Sequence, residues 1–336
     1  MTRRVFLGAL AGLSTVDSVF AQDRAASLVT RALNHMTLSV SDIGRSLEFY
    51  QGLFGMPVVA RQASTLILRI GSGPQFLALS GGRADASRTI NHLCLTVEDF
   101  DVDRVVGILG EHGVVPAEGG GLSGGPMRVR VRMRGEDFGG APGGSPELYF
   151  GDPDGVVIQV QDARYCGGAG VRGDVCGPVE PAPASGLFAL RDLSHFTVFV
   201  SDQARSVGFY QSLFAMPITT YQGALPLLTV GSGSQFLAFA QVPSPPAIHH
   251  ACLTIDDFQH DDVMEKLRTF GITPRDDGAS GPVPPLRSYV TMRMADRGGA
   301  PGGTPELYFT DPDGILIQLQ DASYCGGSGY LGDACS

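Results

Sequence analysis

Residues 139–162 read Gly-Gly-Ala-Pro-Gly-Gly-Ser-Pro-Glu-Leu-Tyr-Phe-Gly-Asp-Pro-Asp-Gly-Val-Val-Ile-Gln-Val-Gln-Asp, and nearly the same stretch returns at residues 298–321. The two copies lie 159 residues apart. Residues 33–42 and 193–202 form a second matching pair nearer the start of each copy. Because two copies of one sequence should adopt two copies of one fold, the chain is predicted to consist of two equivalent domains.

Composition agrees with this organisation. A chain of 336 residues with 43% apolar residues has the length for about two domains, each with its own hydrophobic core. The formal net charge is -10. An acidic chain without a basic cluster is a poor match for phosphate backbones or anionic membrane surfaces, so nucleic acid is excluded as an expected partner.

The N-terminus resembles an export signal. Arg3 and Arg4 match a twin-arginine pattern, and a short apolar run leads to the small-x-small cleavage site at residues 19–21. The run is too short and too broken for an anchor, which takes about 20 apolar residues. We therefore expect a signal peptide over residues 1–21 and a periplasmic or secreted mature protein with no membrane association. The alternative is an ordinary secretory signal with a chance arginine pair.

The cysteines favour an oxidising destination. Two pairs close similar Gly-rich loops at the ends of the two copies, and a local disulfide stabilises such a loop most in an exported protein. A metal site is the alternative, but these loops lack nearby histidines. The expected disulfides are Cys166 with Cys176 and Cys325 with Cys335, and the expected buried free thiols are Cys94 and Cys252.

Each copy divides again into two similar halves. Residues 35–40 have strand composition, a helix with an Asp42 N-cap follows, and three short apolar runs complete the half. The second half restarts at residue 90 and places its helix from about Asp99 to His112. The predicted fold is therefore α+β, built from four βαβββ modules. The predicted segments are a first domain at 32–164, a loop and Pro-rich linker at 165–190, a second domain at 191–323 and a terminal loop at 324–336.

Three motifs carry a resemblance to a known family. They are the strand that begins Asn34-His35, the helix Ser-Leu-Glu-Phe-Tyr-x-x-Leu-Phe-Gly-Met at 46–56, and the hairpin Leu-Tyr-Phe-x-Asp-Pro-Asp-Gly-x-x-Ile-Gln at 148–159. Together they resemble the vicinal oxygen chelate superfamily, which includes glyoxalase I, fosfomycin and bleomycin resistance proteins and type I extradiol dioxygenases. The resemblance implies that paired modules curl into half-open mixed-sheet barrels, one per copy, so that the chain forms a pseudo-dimer.

The resemblance also implies a divalent metal in the cup of each barrel. Its ligands come from the first strand of each module and from the last strand, where the usual glutamate is replaced here by glutamine. For this glutamine, both metal ligation and simple hydrogen bonding remain open. Fe(II) or Mn(II) suits such a mixed nitrogen and oxygen site, and Zn(II) is a further candidate. The implied ligands are His35, His92 and Gln159 in the first copy and His195, His250 and Gln318 in the second.

A carboxylate should share the cup with these ligands. The strand period of two puts Glu147 on the same face as Tyr149, which matches the family's substrate-facing tyrosine. Burying an uncompensated glutamate costs several kcal/mol, so either a metal or an arginine should lie near it. Arg134 on the neighbouring strand is the candidate partner. The candidate catalytic residues are thus Arg134, Glu147 and Tyr149, with Arg293, Glu306 and Tyr308 in the second copy.

Two classes of function fit this pattern best, and a third fits it less well. The first is an exported metal-dependent dioxygenase of the extradiol type, and the second is a binding protein of the bleomycin-resistance type that sequesters a small molecule. The third is a lyase or isomerase of the glyoxalase type. The expected ligand is aromatic or otherwise apolar, because the cup walls are expected to include Phe54, Tyr149, Phe209 and Tyr308.

Overall fold

A computed structural model describes residues 27–82, 88–177, 179–276 and 282–335, so the expected signal peptide lies outside the described residues. The predicted α+β fold is confirmed. The first copy contains β1 (Thr30–Val40), α1 (Ile43–Phe54), β2 (Val58–Gln62), β3 (Thr65–Arg69), β4 (Phe76–Gly81), β5 (Thr89–Val97), α2 (Val102–Glu111), β6 (Val115–Pro116), β7 (Arg128–Arg134), β8 (Ser145–Gly151) and β9 (Val157–Asp162).

The second copy repeats this order. Its elements are β10 (Leu190–Val200), α3 (Gln203–Phe214), β11 (Ile218–Gln222), β12 (Leu225–Thr229), β13 (Phe236–Gln241), β14 (Ala247–Ile255), α4 (His260–Thr269), β15 (Thr273–Pro274), β16 (Arg287–Arg293), β17 (Thr304–Thr310) and β18 (Leu316–Asp321). The second module of each copy thus has one additional strand of two residues beyond the βαβββ pattern.

Each copy forms one nine-stranded mixed sheet. In the first copy the strand order is β2-β3-β4-β1-β5-β9-β8-β7-β6, and the second copy has the equivalent order. The first strands of the two modules, β1 and β5, pair antiparallel at the centre. Each also pairs in parallel with the last strand of its own module, β4 or β9. The first and last strands that carry the implied ligands are therefore direct neighbours.

The first sheet is strongly curved. Thr65 on β3 and Arg132 on β7 line one cavity, although six strand spacings separate these strands in the sheet order. In a flat sheet that separation would be about 29 Å at about 4.8 Å per strand. Only a sheet curled into a half-barrel can bring both residues to one cavity, so the cup lies on its concave face.

The helices pack on the outer faces and join the two copies. Ring centroids of Phe49 and Phe54 on α1 lie 6.2 and 6.5 Å from that of Phe309 on β17. Phe209 on α3 makes the reciprocal contact with Phe150, at 6.3 Å. The expectation that Phe54 and Phe209 line the cups is therefore wrong. Both side chains pack instead between the copies, where Phe54 is buried and Phe209 is partly buried.

The predicted start of the second module's helix is also wrong. Asp99 has a left-handed backbone, with φ of 47°, which is incompatible with a right-handed helix. The helix begins instead at Val102, because the Asp101 side chain accepts a hydrogen bond from the backbone N–H of Arg104 at 2.9 Å. This N-cap satisfies one of the free donors of the first turn.

The turn between the last two strands of each copy binds the helix start of the other copy. Asp313 accepts hydrogen bonds from the backbone N–H of Ser41 at 3.1 Å and from its hydroxyl at 2.5 Å, and it pairs with Arg45 at 2.7 Å. Asp154 makes the same contacts with Ser201 and Arg205. The two copies therefore pack through a reciprocal interface, as a pseudo-dimer within one chain.

Both predicted disulfides are confirmed. Cys166 bonds Cys176, and Cys325 bonds Cys335, each with a Cα separation of 6.2 Å. Cys94 is a buried free thiol, as is its counterpart in the second copy. Disulfides of this kind are typical of oxidising compartments. Within the described ranges, every helix is too short or too polar to cross a membrane.

Candidate metal centre and substrate cup

A cavity of about 160 Å3 opens on the concave face of the first sheet, and we call it the first cup. Its floor carries both module-start histidines and Gln159. Its wall is mixed, with hydroxyl, amide, aliphatic and aromatic side chains. The lining residues are His35, Thr37, Ser39, Gln62, Thr65, Ile67, Phe76, Ala78, Ser80, Asn91, His92, Leu122, Arg132, Tyr149, Gln159 and Tyr165.

Three of the residues implied by the resemblance converge on this floor. Oε1 of Gln159 lies 3.0 Å from Nε2 of His35 and 3.1 Å from Nε2 of His92. The backbone explains the convergence, since β1 and β5 are paired and Gln159 on β9 lies beside Cys94 on β5. Two ring nitrogens and one amide oxygen thus form a compact triangle.

Asparagines orient both imidazoles. The Asn34 amide nitrogen donates to the backbone carbonyl of Tyr165 at 2.8 Å, which turns Oδ1 of Asn34 toward Nδ1 of His35 at 2.8 Å. Asn91 places its Oδ1 2.9 Å from Nδ1 of His92. An oxygen acceptor at Nδ1 selects the tautomer with the proton on Nδ1. The lone pair on each Nε2 is therefore directed into the triangle, as in histidines that bind metals.

Burial keeps both histidines uncharged. It lowers the pKa of His92 to about 4. It also lowers the pKa of His35 well below its usual value of 6.5, and the neighbouring His92 lowers it further. Both rings are therefore neutral at physiological pH, which is the state that a metal ligand requires.

The acidic residue implied for the cup is engaged by an arginine. Oε1 of Glu147 accepts from Nε of Arg134 at 2.7 Å and from the hydroxyl of Tyr165 at 3.0 Å. Its other oxygen accepts from the hydroxyl of Tyr149 at 3.1 Å. Both side chains of the ion pair are only 5% exposed. Glu147 is not among the described residues that line the cup, so the expectation that this carboxylate shares the cup is wrong. It lies behind Tyr149 instead, where it fixes that ring at the cup wall.

The second copy repeats the triangle and the ion pair. Nε2 of His195 and Nε2 of His250 lie 3.1 and 3.0 Å from Oε1 of Gln318. The pair of Arg293 and Glu306 has a distance of 2.8 Å, and Tyr308 donates to Glu306 at 3.3 Å. All the predicted site residues of this copy therefore occupy equivalent places in the fold.

The orienting residues differ in the second copy. Among the described residues, the contact given to Nδ1 of His195 is a long one of 3.4 Å to the hydroxyl of Ser194. Nδ1 of His250 lies 2.8 Å from Nδ1 of His249. Neither contact selects one tautomer as the asparagines do, because a hydroxyl or a second imidazole can donate or accept.

The donor set of the first cup fits a divalent ion. Within the described ranges, no three His, Cys, Asp or Glu side chains form a group that could hold a metal, so the third ligand would be the amide oxygen of Gln159. Neighbouring ligands of an octahedral ion with bonds of about 2.1 Å lie about 3.0 Å apart. The Nε2 to Oε1 distances match that spacing. A cation would also stabilise the lone pairs of these three neighbouring atoms.

Several residues of this cup were missed by sequence reasoning. Thr37 places its hydroxyl 3.1 Å from Nε2 of His92, and Tyr165 holds both Asn34 and Glu147. Arg132 lines the open side. The dipeptide Asn-His, which opens both modules of the first copy at residues 34–35 and 91–92, was the available signal for the orienting amides.

Comparisons with solved structures support the fold. The chain matches a homoprotocatechuate 2,3-dioxygenase from B. fuscum with a TM-score of 0.59 and 18% identity, covering 88% of this chain and 73% of that one. It matches an Mn(II)-bound glyoxalase from Novosphingobium aromaticivorans with a TM-score of 0.53 and 18% identity, covering 88% and 82%. At this identity the likeness shows a shared fold alone.

Sequence comparisons identify the family. A metallothiol transferase FosB from Staphylococcus haemolyticus is 28% identical over 93 residues, which span 26% of this chain and 66% of that protein. The family model described as Glyoxalase/Bleomycin resistance protein/Dioxygenase superfamily matches residues 32–160 and again residues 192–319. Since the two matches cover most of the chain, the protein belongs to the glyoxalase, bleomycin resistance protein and dioxygenase superfamily, with two domains of that family in tandem.

Proposed function

We propose that this protein is an exported, metal-dependent ring-cleaving dioxygenase of the extradiol type. Its first cup would act on a small ring that carries neighbouring hydroxyl groups. The observation that carries the proposal is the triangle of His35, His92 and Gln159, whose three lone-pair atoms meet at the floor of an open cavity. The reaction would break a carbon–carbon bond next to the diol and place both atoms of O2 in the product.

The three triangle residues would hold the metal, which would supply Lewis acidity and a template for the diol. Asn34 and Asn91 hold the imidazoles in the tautomer that directs Nε2 inward. With three protein ligands, an octahedral ion keeps open positions for substrate atoms. The protein's contribution is thus a fixed, neutral and oriented ligand set.

Tyr149 is proposed to bind a substrate hydroxyl. Its own proton is directed to Glu147, so the remaining lone pair of the phenol oxygen is free to accept a hydrogen bond. Burial, together with the Glu147 carboxylate, raises the pKa of Tyr149 well above its usual value, so the phenol stays protonated. Glu147 and Arg134 act through Tyr149 and are positioning residues.

A binding protein of the bleomycin-resistance type is the second candidate. The amide of Gln159, if rotated by 180°, would donate one N–H to each Nε2 and satisfy both imidazoles without a cation. In the present orientation the amide nitrogen of Gln159 is buried and has no hydrogen-bond partner in the described part of the chain, and the rotation would put the amide oxygen in that place instead. A glyoxalase-type reaction is disfavoured, because no Asp or Glu is among the described residues that line the cup.

Oxygen consumption separates the two candidates. The full chain, loaded with Fe(II) or Mn(II), is expected to consume O2 with catechol or 3,4-dihydroxybenzoate and to form a ring-opened product. His92→Ala should lower the rate by more than about 100-fold, since loss of even an outer-shell partner costs about 10- to 100-fold. His250→Ala is the matched control in the second copy and should retain activity. Binding of these diols by the metal-loaded chain without O2 uptake would contradict the dioxygenase proposal.

Export is proposed from the twin-arginine pattern and is consistent with the two disulfides. Protein recovered from the periplasm or medium is expected to begin at Gln22, having lost residues 1–21. Intact-mass measurement checks this directly. A periplasmic product with the full-length mass would contradict the proposed cleavage.

A further inference from the structure

The two cups differ in the polarity of their walls. Strand register assigns the equivalent positions, because Ser39 pairs with Ser80 in the first copy where Phe199 pairs with Ala240 in the second. Three hydroxyl groups on the wall of the first cup are thereby replaced by carbon. The replaced pairs are Ser39 by Phe199, Ser80 by Ala240 and Thr65 by Leu225.

Aromatic rings stack at equivalent strand positions in the second copy. The Phe199 ring stacks on His249 with centroids 4.1 Å apart and planes 18° from parallel. Tyr289 stacks on Tyr308 with centroids 5.1 Å apart. Tyr308, the counterpart of Tyr149, is half-buried and contacts this ring on one face. The strand positions around the second triangle are thus more apolar than the equivalent positions of the first cup.

The first cup also carries a positive charge at a strand position that is uncharged in the second copy. Arg132 pairs with Glu147 in strand register, and the equivalent partner of Glu306 is Thr291. Arg132 is exposed and lines the cavity. Of the described acidic side chains, none forms an ion pair with it. Its guanidinium therefore remains available at the mouth of the cup.

This charge is unusual in its surroundings. The chain has a formal net charge of -10, yet the described lining of the first cup contains Arg132 and no carboxylate. A local positive charge at the mouth of a polar cavity attracts small anions and forms charge-assisted hydrogen bonds with them. A guanidinium is especially suited to a planar carboxylate, which it can bind through two parallel hydrogen bonds.

Size limits the ligand to one ring. A cavity of about 150 Å3 is large enough for benzene, and drug-sized ligands occupy pockets of about 300 Å3 or more. The first cup has about 160 Å3. Apolar surface from Ile67, Phe76 and Ala78 would contact the ring, while Arg132 would contact the charged group.

We infer that the first cup is the substrate site and that it selects a single-ring carboxylate through Arg132, whereas the second cup does not bind this ligand. The inference rests on the proposed function only in calling the bound ligand a substrate, because that word assumes the reaction at the triangle. Its recognition step requires no metal and no chemistry, so binding can be measured separately.

The test compares benzoate with its neutral analogue benzamide, using ligand-observed NMR on the full chain without added metal. Wild-type protein is expected to bind benzoate about tenfold more tightly than benzamide, a preference that high salt reduces. Arg132→Thr, which copies the second cup, should remove the preference. Arg128→Thr on the same strand is the matched control, since Arg128 is exposed but does not line the cavity, and it should retain the preference.

A second variant tests whether benzoate binds in the first cup. Ser39→Phe introduces into the first cup the ring that Phe199 carries at the equivalent position of the second copy, and it should abolish benzoate binding while leaving Arg132 in place. Equal binding of benzoate and benzamide by wild-type protein, or a preference that survives Arg132→Thr, would overturn the inference. Selective benzoate binding by a chain that shows no O2 uptake with diols would remove the proposed function and leave this inference standing.

Discussion

Replacing Arg134 by methionine is expected to lower the free energy of unfolding by about 3–5 kcal/mol, the range for breaking a buried ion pair from one side. The reason is the burial of Glu147, which would keep two tyrosine partners but lose the one cation that pairs with it among the described residues. Arg134 also donates to the carbonyls of Gly139 and Gly168, at 2.7 and 2.8 Å. Urea-induced unfolding followed by circular dichroism measures the change.

Two further variants make this result specific. Arg132→Met removes a cation from an exposed site two residues along the same strand and should change stability by less than about 0.5 kcal/mol. Arg134→Met combined with Glu147→Gln should be more stable than the single variant, because the uncompensated charge is gone. If Arg134→Met and Arg132→Met had equal effects, the buried pair would not stabilise the fold.

Gln159→Glu is expected to stabilise the folded chain when metal is bound and to destabilise it when metal is absent. The change restores the carboxylate of a 2-His-1-carboxylate site with almost the same shape, so affinity for Fe(II) or Mn(II) should rise by about tenfold or more. Without metal, a buried carboxylate beside two neutral imidazoles should destabilise the chain by about 1–3 kcal/mol. Thermal unfolding with and without Mn(II) measures both effects, since a bound ion stabilises the folded state.

Gln161→Glu is the matched control for that exchange. Gln161 is buried two residues along β9 and donates to the carbonyl of Pro146, away from both histidines. The Gln161→Glu protein should be less stable than wild type, and its affinity for metal should not rise. A Gln159→Glu protein that Mn(II) stabilises no more than wild type would contradict a metal site at this triangle.

Much of the fold could be predicted because the sequence contains two copies of one domain. The repeat at 139–162 and 298–321 fixed two equivalent domains, and strand period placed Glu147 and Tyr149 on one face. Local signals also sufficed for the disulfides, since each pair closes a short Gly-rich loop. These features depend on residues close in sequence or on direct repetition.

Features that depend on long-range packing were not predictable. Phe54 has the helical spacing of a buried residue, but sequence alone does not say whether the cup or the other copy buries it. The contact of Phe209 with Phe150 in the other copy was equally unpredictable. The basic character of β7 was missed for a different reason. Its four arginines alternate with other residues, so they lie on one face without forming a consecutive run.

The difference between the two cups also could not be predicted from the sequence. Phe199 in place of Ser39 is visible in the alignment of the two copies, but its consequence requires the positions of His249 and of the cup wall. Tandem copies of one fold can diverge in this way, because one copy can retain the site while the other retains its packing role. The reciprocal contacts of Asp154 and Asp313 preserve that role in both copies.

The most direct test of the account is the metal content of the full chain after loading with Fe(II), Mn(II) or Zn(II) and desalting. Mass spectrometry of the bound metal is expected to show at least one divalent ion per chain. That ion should be lost in the His35→Ala/His92→Ala protein and kept in the His195→Ala/His250→Ala protein, provided circular dichroism shows both to be folded. A wild-type chain that retains none of the three metals, while still binding benzoate in its first cup, would contradict the metal centre and leave a binding protein in its place.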